Sequence, residues 1–219
     1  MVPIGVVTAV AVVAIAFLGF YRPWHLRWGA TPEDLARTMP GDEIVHRPVF
    51  NATRAVTIDA RPDDIWPWIV QIGFGRAGWY SYDLLDNLGR PSSVRVVSEL
   101  QHIEVGDLIP LGPGKGSGMF VKEFVLNRSM LWWTGKNGQT TWTWGLYPAS
   151  DGTTRLVTRV RAPLSWDRPM SAVWLVLTEV ADFPMMRKCL LGIKRRAETR
   201  ALSTKEAPHV RAETQWPTP

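Results

Sequence analysis

The apolar and polar positions of the chain fall into stretches of different period. From Val2 to Tyr21 (VPIGVVTAVAVVAIAFLGFY) no residue is charged, and at about 1.5 Å rise per residue an α-helix of that length spans about 30 Å, the hydrocarbon thickness of a bilayer. A transmembrane helix over 2–21 is therefore expected. A cleavable signal peptide would begin with basic residues and end on small ones. Here no basic side chain precedes the apolar run, which closes on Phe17, Leu18, Gly19, Phe20 and Tyr21. Residues 22–50 lack sustained periodicity apart from one helical turn at Pro32–Arg37, with Glu33 and Asp34 near its start, and read as a linker lying over a domain.

Within that domain, expected over 51–200, Thr53–Asp59 (TRAVTID) alternates like a half-buried strand. Pro62 then opens a helix: Asp63 and Asp64 complement its dipole, and Ile65, Trp66, Ile69 and Ile72 come after them at helical spacing, with Pro67 positioned to kink it. Gly73, Gly75 and Gly78 end this helix, and Ser81 is expected to cap a second short one, Tyr82–Leu88, closed by Gly89. Beyond residue 90 the period becomes two. Leu108–Leu111, Met119–Leu126, Ser129–Thr134, Thr140–Tyr147 and Thr154–Arg161 read as strands, and Asp151-Gly152 is a hairpin signal. Alternation puts Trp142, Trp144 and Leu146 on one face of the fourth of these and Thr141, Thr143 and Tyr147 on the other. The last element is an amphipathic helix from about Met170 to Arg200, with Phe183, Met186, Leu190 and Ile193 as its apolar stripe. Pro184 should interrupt it, with Asp182 capping the restart. Residues 201–219 have only scattered apolar positions and are expected to be disordered.

Composition narrows this picture. The chain has 219 residues, 46% hydrophobic, with 12 Trp, enough for one packed core and either an aromatic-lined cavity or an interfacial belt. Cys189 is the only cysteine, which excludes an internal disulfide and any cysteine-based metal site. The net charge of +5 is concentrated near the end: Arg187, Lys188, Lys194, Arg195, Arg196 and Arg200 face only Glu198. No nucleic-acid-binding motif accompanies these residues, so nucleic acid is not an expected partner; a solvated face at a helix end accounts for them, with contact to anionic headgroups as the sharper alternative. Arg22, His25 and Arg27 come after the apolar segment among Tyr21, Trp24 and Trp28, which favours a single-pass membrane protein whose soluble domain faces the cytoplasm.

The order strand, two short helices, antiparallel strands, long closing helix resembles the helix-grip fold of the START-related SRPBCC superfamily. The words IDARPDDIWPWIVQIGFGRAGWYSYDLLDNLG (58–89), VGD (105–107) and LLGIKRRAE (190–198) are similar to an uncharacterised bacterial branch of it, and the likeness covers about residues 28–199. It implies an α+β architecture in which a curved antiparallel β-sheet wraps a long C-terminal α-helix, here preceded by the transmembrane helix. It also implies a hydrophobic cavity between sheet and helix. Other branches bind lipids, sterols and polyketides or act as cyclases and dehydratases. The branch brings no catalytic motif, so any function taken from it is an analogy of fold.

The leading functional expectation is a membrane-tethered protein that binds a small hydrophobic or lipid-like ligand, with Trp79, Tyr80, Tyr82, Asp83, His102, Trp133, Trp142, Trp144, Phe183 and Met186 as candidate ligand contacts. The alternative is an enzyme of cyclase, dehydratase or hydrolase type using Tyr82, Asp83 or His102 in the cavity. A third reading presents the basic helix to a partner or to headgroups. Asp83 is equally explained by the helix dipole, and His102 by a loop hydrogen bond. No histidine pair has ligand spacing with a carboxylate, so neither a metal nor a cofactor is expected. The glycine-rich Gly112–Gly118 lacks the order of a phosphate-binding loop and sits between two strands, as a hairpin loop would. Nothing in the sequence sets an oligomeric state.

Overall fold

The computed structural model describes residues 3–134, 140–163 and 169–212. Six strands form one antiparallel sheet in the order β1-β6-β5-β4-β3-β2: β1 (Phe50–Ile58), β2 (Leu108–Pro110), β3 (Gly118–Val125), β4 (Ser129–Trp133), β5 (Thr141–Pro148) and β6 (Thr154–Ala162). The strands closely match the stretches where the sequence alternates. A bulge between Val121 and Glu123 shifts the register of β3 against β4 and bends the sheet. Six α-helices accompany it among the described residues: α1 (Ile4–Ala16), α2 (Arg22–Leu26), α3 (Pro32–Ala36), α4 (Pro62–Val70), α5 (Asp83–Asp86) and α6 (Pro169–Ala212). A curved antiparallel sheet holding a long C-terminal helix is the helix-grip arrangement.

The inner face of the sheet carries the core. Trp132 pairs with Trp142, and Met130 with Trp144, across β4 and β5, so alternation gathers the large side chains on one side. Trp132, Trp144, Leu146 and Leu156 are buried there against Ile65, Trp66 and Ile69 of α4 and against Leu190 and Ile193 of α6. Each buried aromatic removes about 150–250 Å² from water, which is the main force seating α4 and α6 on this face.

Residues 27–49 cover the outer face. Trp28 accepts a hydrogen bond from the Ala55 amide on the free edge of β1. Gly29, at φ 71°, lies so close to that strand that a Cβ would sit 2.1 Å from the Ala55 carbonyl oxygen. Thr31 and Asp34 exchange side-chain and backbone hydrogen bonds in a capping box that starts α3. This segment then supplies acceptors to three arginines of β6. Arg155 reaches Asp34 at 2.7 Å. Arg159, with 5% of its side chain exposed, reaches Asp42 at 2.6 Å and also donates to Thr53 and to the carbonyls of Asp34, Leu35 and Arg37. Arg161 shares Asp42 at 3.0 Å and donates to the Val45 carbonyl. The five donors of a guanidinium make such multiple capture possible.

On the inner face, Arg54 is 1% exposed and bonds Asp182 of α6 at 2.5 Å and the His25 carbonyl. Arg22 bonds Glu179 of α6 and the Val49 carbonyl, while Tyr21, Trp24, His25 and Trp28 surround the Phe183 ring. The N-terminal segment is thus clamped to α6.

Four expectations are corrected. The uncharged stretch 2–21 is not one transmembrane α-helix: α1 ends at Ala16 and a π-helical turn, Phe17–Tyr21, leads into α2. Among the described residues no helix is long and apolar enough to cross a membrane. A π-turn changes the helical phase of the residues beyond it, and here it delivers Tyr21 and Arg22 to their contacts with α6. Pro184 does not interrupt the last helix, which runs through it to Ala212. The carbonyl that loses its partner belongs to Val180, 47% exposed, so water can serve it; Asp182 binds Arg54 and caps no restart. Ser81 does not cap α5, whose N-cap Tyr82 makes no side-chain cap bond. The helix also enters the stretch expected to be disordered, reaching Ala212, while 213–219 lie outside the described residues. Trp174, one of the 12 Trp, has a side chain outside the described ones.

Replacing Arg159 by Leu leaves Asp42 with fewer donors and the outer segment without its anchor. Stability should fall by about 3 kcal/mol, the usual scale for breaking a buried pair, in a chemical-denaturation measurement. Glu33→Ala, which breaks only the exposed i,i+4 pair with Arg37, should change it by less than about 0.5 kcal/mol. Equal effects would contradict the anchoring role of Arg159.

Candidate functional site

Between the inner face and α6 lies a cavity of about 180 Å³, walled by Trp79, Leu111, Trp142, Met185, Met186 and Cys189, with Ser81, Asp86 and Asp182 as its polar part. A local backbone reversal places Trp79. Gly78 has φ 83°, and a Cβ there would meet Asn87 Nδ2 at 2.3 Å; Tyr80, two residues on, has φ 56°. The turn lays the Trp79 indole on Trp142 with ring centroids 5.6 Å apart and planes 11° apart. Trp142 in turn stacks on Trp144 at 5.3 Å and donates from Nε1 to Thr158 Oγ1.

The same reversal sends Tyr80 the other way, into the core. Its hydroxyl accepts from Gln71 and donates to the Trp68 carbonyl, and burial raises its pKa. Gly192 of α6 packs on it so closely that a Cβ would lie 2.4 Å from the Tyr80 carbonyl oxygen. Tyr80 therefore holds the turn against α6.

Two carboxyl groups one turn apart on α5 have opposite environments. Burial pushes Asp83 up, but hydrogen bonds from Ser92 Oγ at 2.5 Å and from Asn87 offset it, and the group lies below the usual carboxylate range. Asp83 is a clamp on the loop that returns to Ser92. Asp86 is raised, by burial first and by the charge of Asp83 in addition, with the nearby Ser81 hydroxyl and Tyr82 backbone opposing. The Asp86 carboxyl oxygens and Ser81 Oγ are buried, and none of the three has a hydrogen-bond partner of ordinary geometry. Separation of two pKa values in this way is the usual preparation for acid chemistry, or for donating a hydrogen bond to a ligand. The neighbouring Cys189 thiol is also raised by burial, which disfavours the thiolate a nucleophile would need.

Of the residues expected from sequence, Trp79, Trp142 and Met186 come together at this cavity. Trp144 lies behind Trp142 in the solid core. Phe183 belongs to the aromatic cluster that receives α2. Trp133 faces the other side of the sheet, under the Lys122 ammonium at 4.3 Å. Tyr82 is exposed beneath Lys188. His102, 85% exposed, pairs with Glu104. Tyr82, Asp83 and His102 therefore do not converge as an enzyme site, because the loop containing His102 points away and Asp83 is spent on Ser92. Ser81, Asp86, Asp182 and Met185 were missed. No spacing signal marks Asp86: in Asp83-Leu84-Leu85-Asp86 the pattern alone favours inward leucines, whereas they face solvent, Leu84 at 78% exposure, and the acids take the inner side.

No family model matches the chain, and no curated protein matches it. Among solved structures it is similar to a polyketide-cyclase-like protein from Corynebacterium glutamicum, 15% identical, covering 76% of this chain and 97% of that one with a TM-score of 0.43. It is also similar to the Aha1 dimer from Colwellia psychrerythraea, 17% identical over 68% of this chain and 96% of that one, TM-score 0.38. A protein from Nitrosomonas europaea is 16% identical over 74% and 99%, TM-score 0.39. With every one of these scores below 0.5, the likenesses leave function to the chemistry of the chain's own cavity.

Because its folded pKa is raised, Asp86 holds its proton more tightly in the folded than in the unfolded state. The resulting contribution is complete below the ordinary carboxylate value near 4 and is lost as pH rises through the folded value. Asp86→Asn is neutral throughout. It should raise stability at pH 7, because the folded chain no longer has to desolvate a carboxylate charge there, and flatten the pH dependence above about pH 4. Thermal melts of both chains across that range check this; parallel curves would show that Asp86 is not the titrating group.

Proposed function

We propose that this helix-grip domain binds a small hydrophobic molecule, or one end of a lipid-like one, with its apolar part between Trp79, Trp142 and Met186 and a polar atom at Asp86 and Ser81. The observation that carries the reading is the buried Asp86 carboxyl beside the Ser81 hydroxyl, with no hydrogen-bond partner of ordinary geometry, at the end of an apolar cavity. Such groups cost about 1–3 kcal/mol each when left unsatisfied, a cost that a ligand hydrogen bond would relieve. The cavity is smaller than the roughly 300–1,000 Å³ of drug-sized sites, which suits a compact group with the remainder of a longer molecule passing Leu111. A second reading, favoured by the raised Asp86, is a cyclase, dehydratase or hydrolase step in which that carboxyl donates the proton; turnover of the captured molecule that survives Asp86→Asn would exclude it.

Attachment to a membrane by residues 2–21, with the domain on the cytoplasmic side, belongs to the same proposal. Its support is the uncharged sequence and the exposure of Val12, Val13, Ile15, Leu18 and Phe20, an apolar surface that is costly to leave in water.

Native mass spectrometry of the full chain purified in detergent should reveal a retained small molecule, and Met186→Trp, which fills the cavity, should abolish it. A chain that is empty in every preparation sinks the ligand reading. For the membrane side, Cys189 is buried, so a Lys115→Cys chain offers one accessible thiol. It should resist labelling by an impermeant maleimide in intact cells and react once they are lysed; labelling from outside reverses the orientation.

A further inference from the structure

Across the sheet from the ligand cavity, a second cavity of about 590 Å³ opens between α2, the segment after α3 and the outer face of β1 and β6. Its charge is unbalanced. Arg22, Arg27, Arg37, Arg159 and Arg161 stand in its walls with Asp42 as the lone carboxylate. Arg22 is matched by Glu179 and Arg37 by Glu33, both outside the lining, but Asp42 serves Arg159 and Arg161 together. Arg27 has no side-chain partner among the described residues. Five guanidiniums against three carboxylates leave two positive charges uncompensated. Donors are unspent as well: Nε of Arg37 and Nε of Arg161 are buried without a hydrogen-bond partner.

A concave site with excess guanidinium charge and free N–H groups is matched by an oxyanion with several acceptor oxygens. We propose that this outer cavity binds a phosphate group, either the headgroup phosphate of an anionic phospholipid or free inorganic phosphate. The lipid source has a geometric argument. Arg22 directly succeeds the uncharged stretch, and Arg27 lies only about 7.5 Å further along at helical rise, at the outer edge of a headgroup layer. That source rests on the membrane reading above; the free anion does not.

Two measurements on the full-length chain decide the matter. The detergent-solubilised protein is titrated with inorganic phosphate by calorimetry, and the same protein is floated with vesicles of phosphatidylcholine alone or mixed with phosphatidylglycerol. Each is repeated with Arg27→Glu, whose target is exposed and unpaired, and with Arg128→Glu, an equal charge change at an exposed position between β3 and β4. Phosphate binding, or preference for the anionic vesicles, should weaken about tenfold in Arg27→Glu, the scale of one charge-assisted contact, and persist in Arg128→Glu. Binding of phosphate without lipid preference assigns the free anion, and the reverse assigns the headgroup. If the protein joins neither kind of vesicle, the membrane reading fails and the phosphate titration alone decides the site. Absence of both responses, or equal losses in the two variants, overturns the proposal.

Discussion

The pairing of β1 with β6 places buried guanidinium groups on both faces of one sheet, and much of the remaining architecture serves to satisfy them. A buried cation without acceptors is among the costliest features a fold can hold. Arg54 on the inside draws Asp182 of α6 and the His25 carbonyl. Arg155, Arg159 and Arg161 on the outside draw Asp34, Asp42 and a row of carbonyls from residues 29–45. The helix that the sheet grips and the segment that covers its back are therefore fixed by the same two strands. Apolar burial seats α6, and the arginines determine which of its residues meets which strand.

The aromatic content has a divided use. Trp66, Trp68, Trp132 and Trp144 fill the space between sheet and helices, leaving Trp79 and Trp142 to line the cavity. A core this full limits the cavity to one end of the grip, where the Gly78–Tyr80 reversal and the short helix α5 replace a packed side chain with a carboxyl. The cavity's apolar wall and its buried carboxyl meet there, where the packed core gives way.

Sequence made the sheet legible because alternation is a local signal: Trp142, Trp144 and Leu146 announce their face without reference to any other strand. The long helix was equally plain in its stripe of Met186, Leu190 and Ile193. The roles of Asp182, Phe183 and the 22–50 segment were not legible, since each depends on a partner far away in the chain. Asp182 read as a cap because capping is the local explanation for an acid before a proline; its partner is Arg54. Phe183 read as a ligand contact because it lies on the apolar stripe, but α2 occupies that position. The site was half visible. Its aromatic wall stems from periodicity, whereas the isolation of Asp86 depends on what fails to reach it, which no spacing rule encodes.

The covered back of the sheet also decides how the protein moves. A connection of some two dozen residues behaving as flexible coil would let a domain wander by tens of ångströms from its N-terminal helix. Here that length is consumed by the capping box, the Gly29 contact and the arginine network, and Arg22 is fastened to Glu179 directly. The helix and the domain form a bracket with no slack, so whatever surface receives α1 also sets the direction in which the cavity opens.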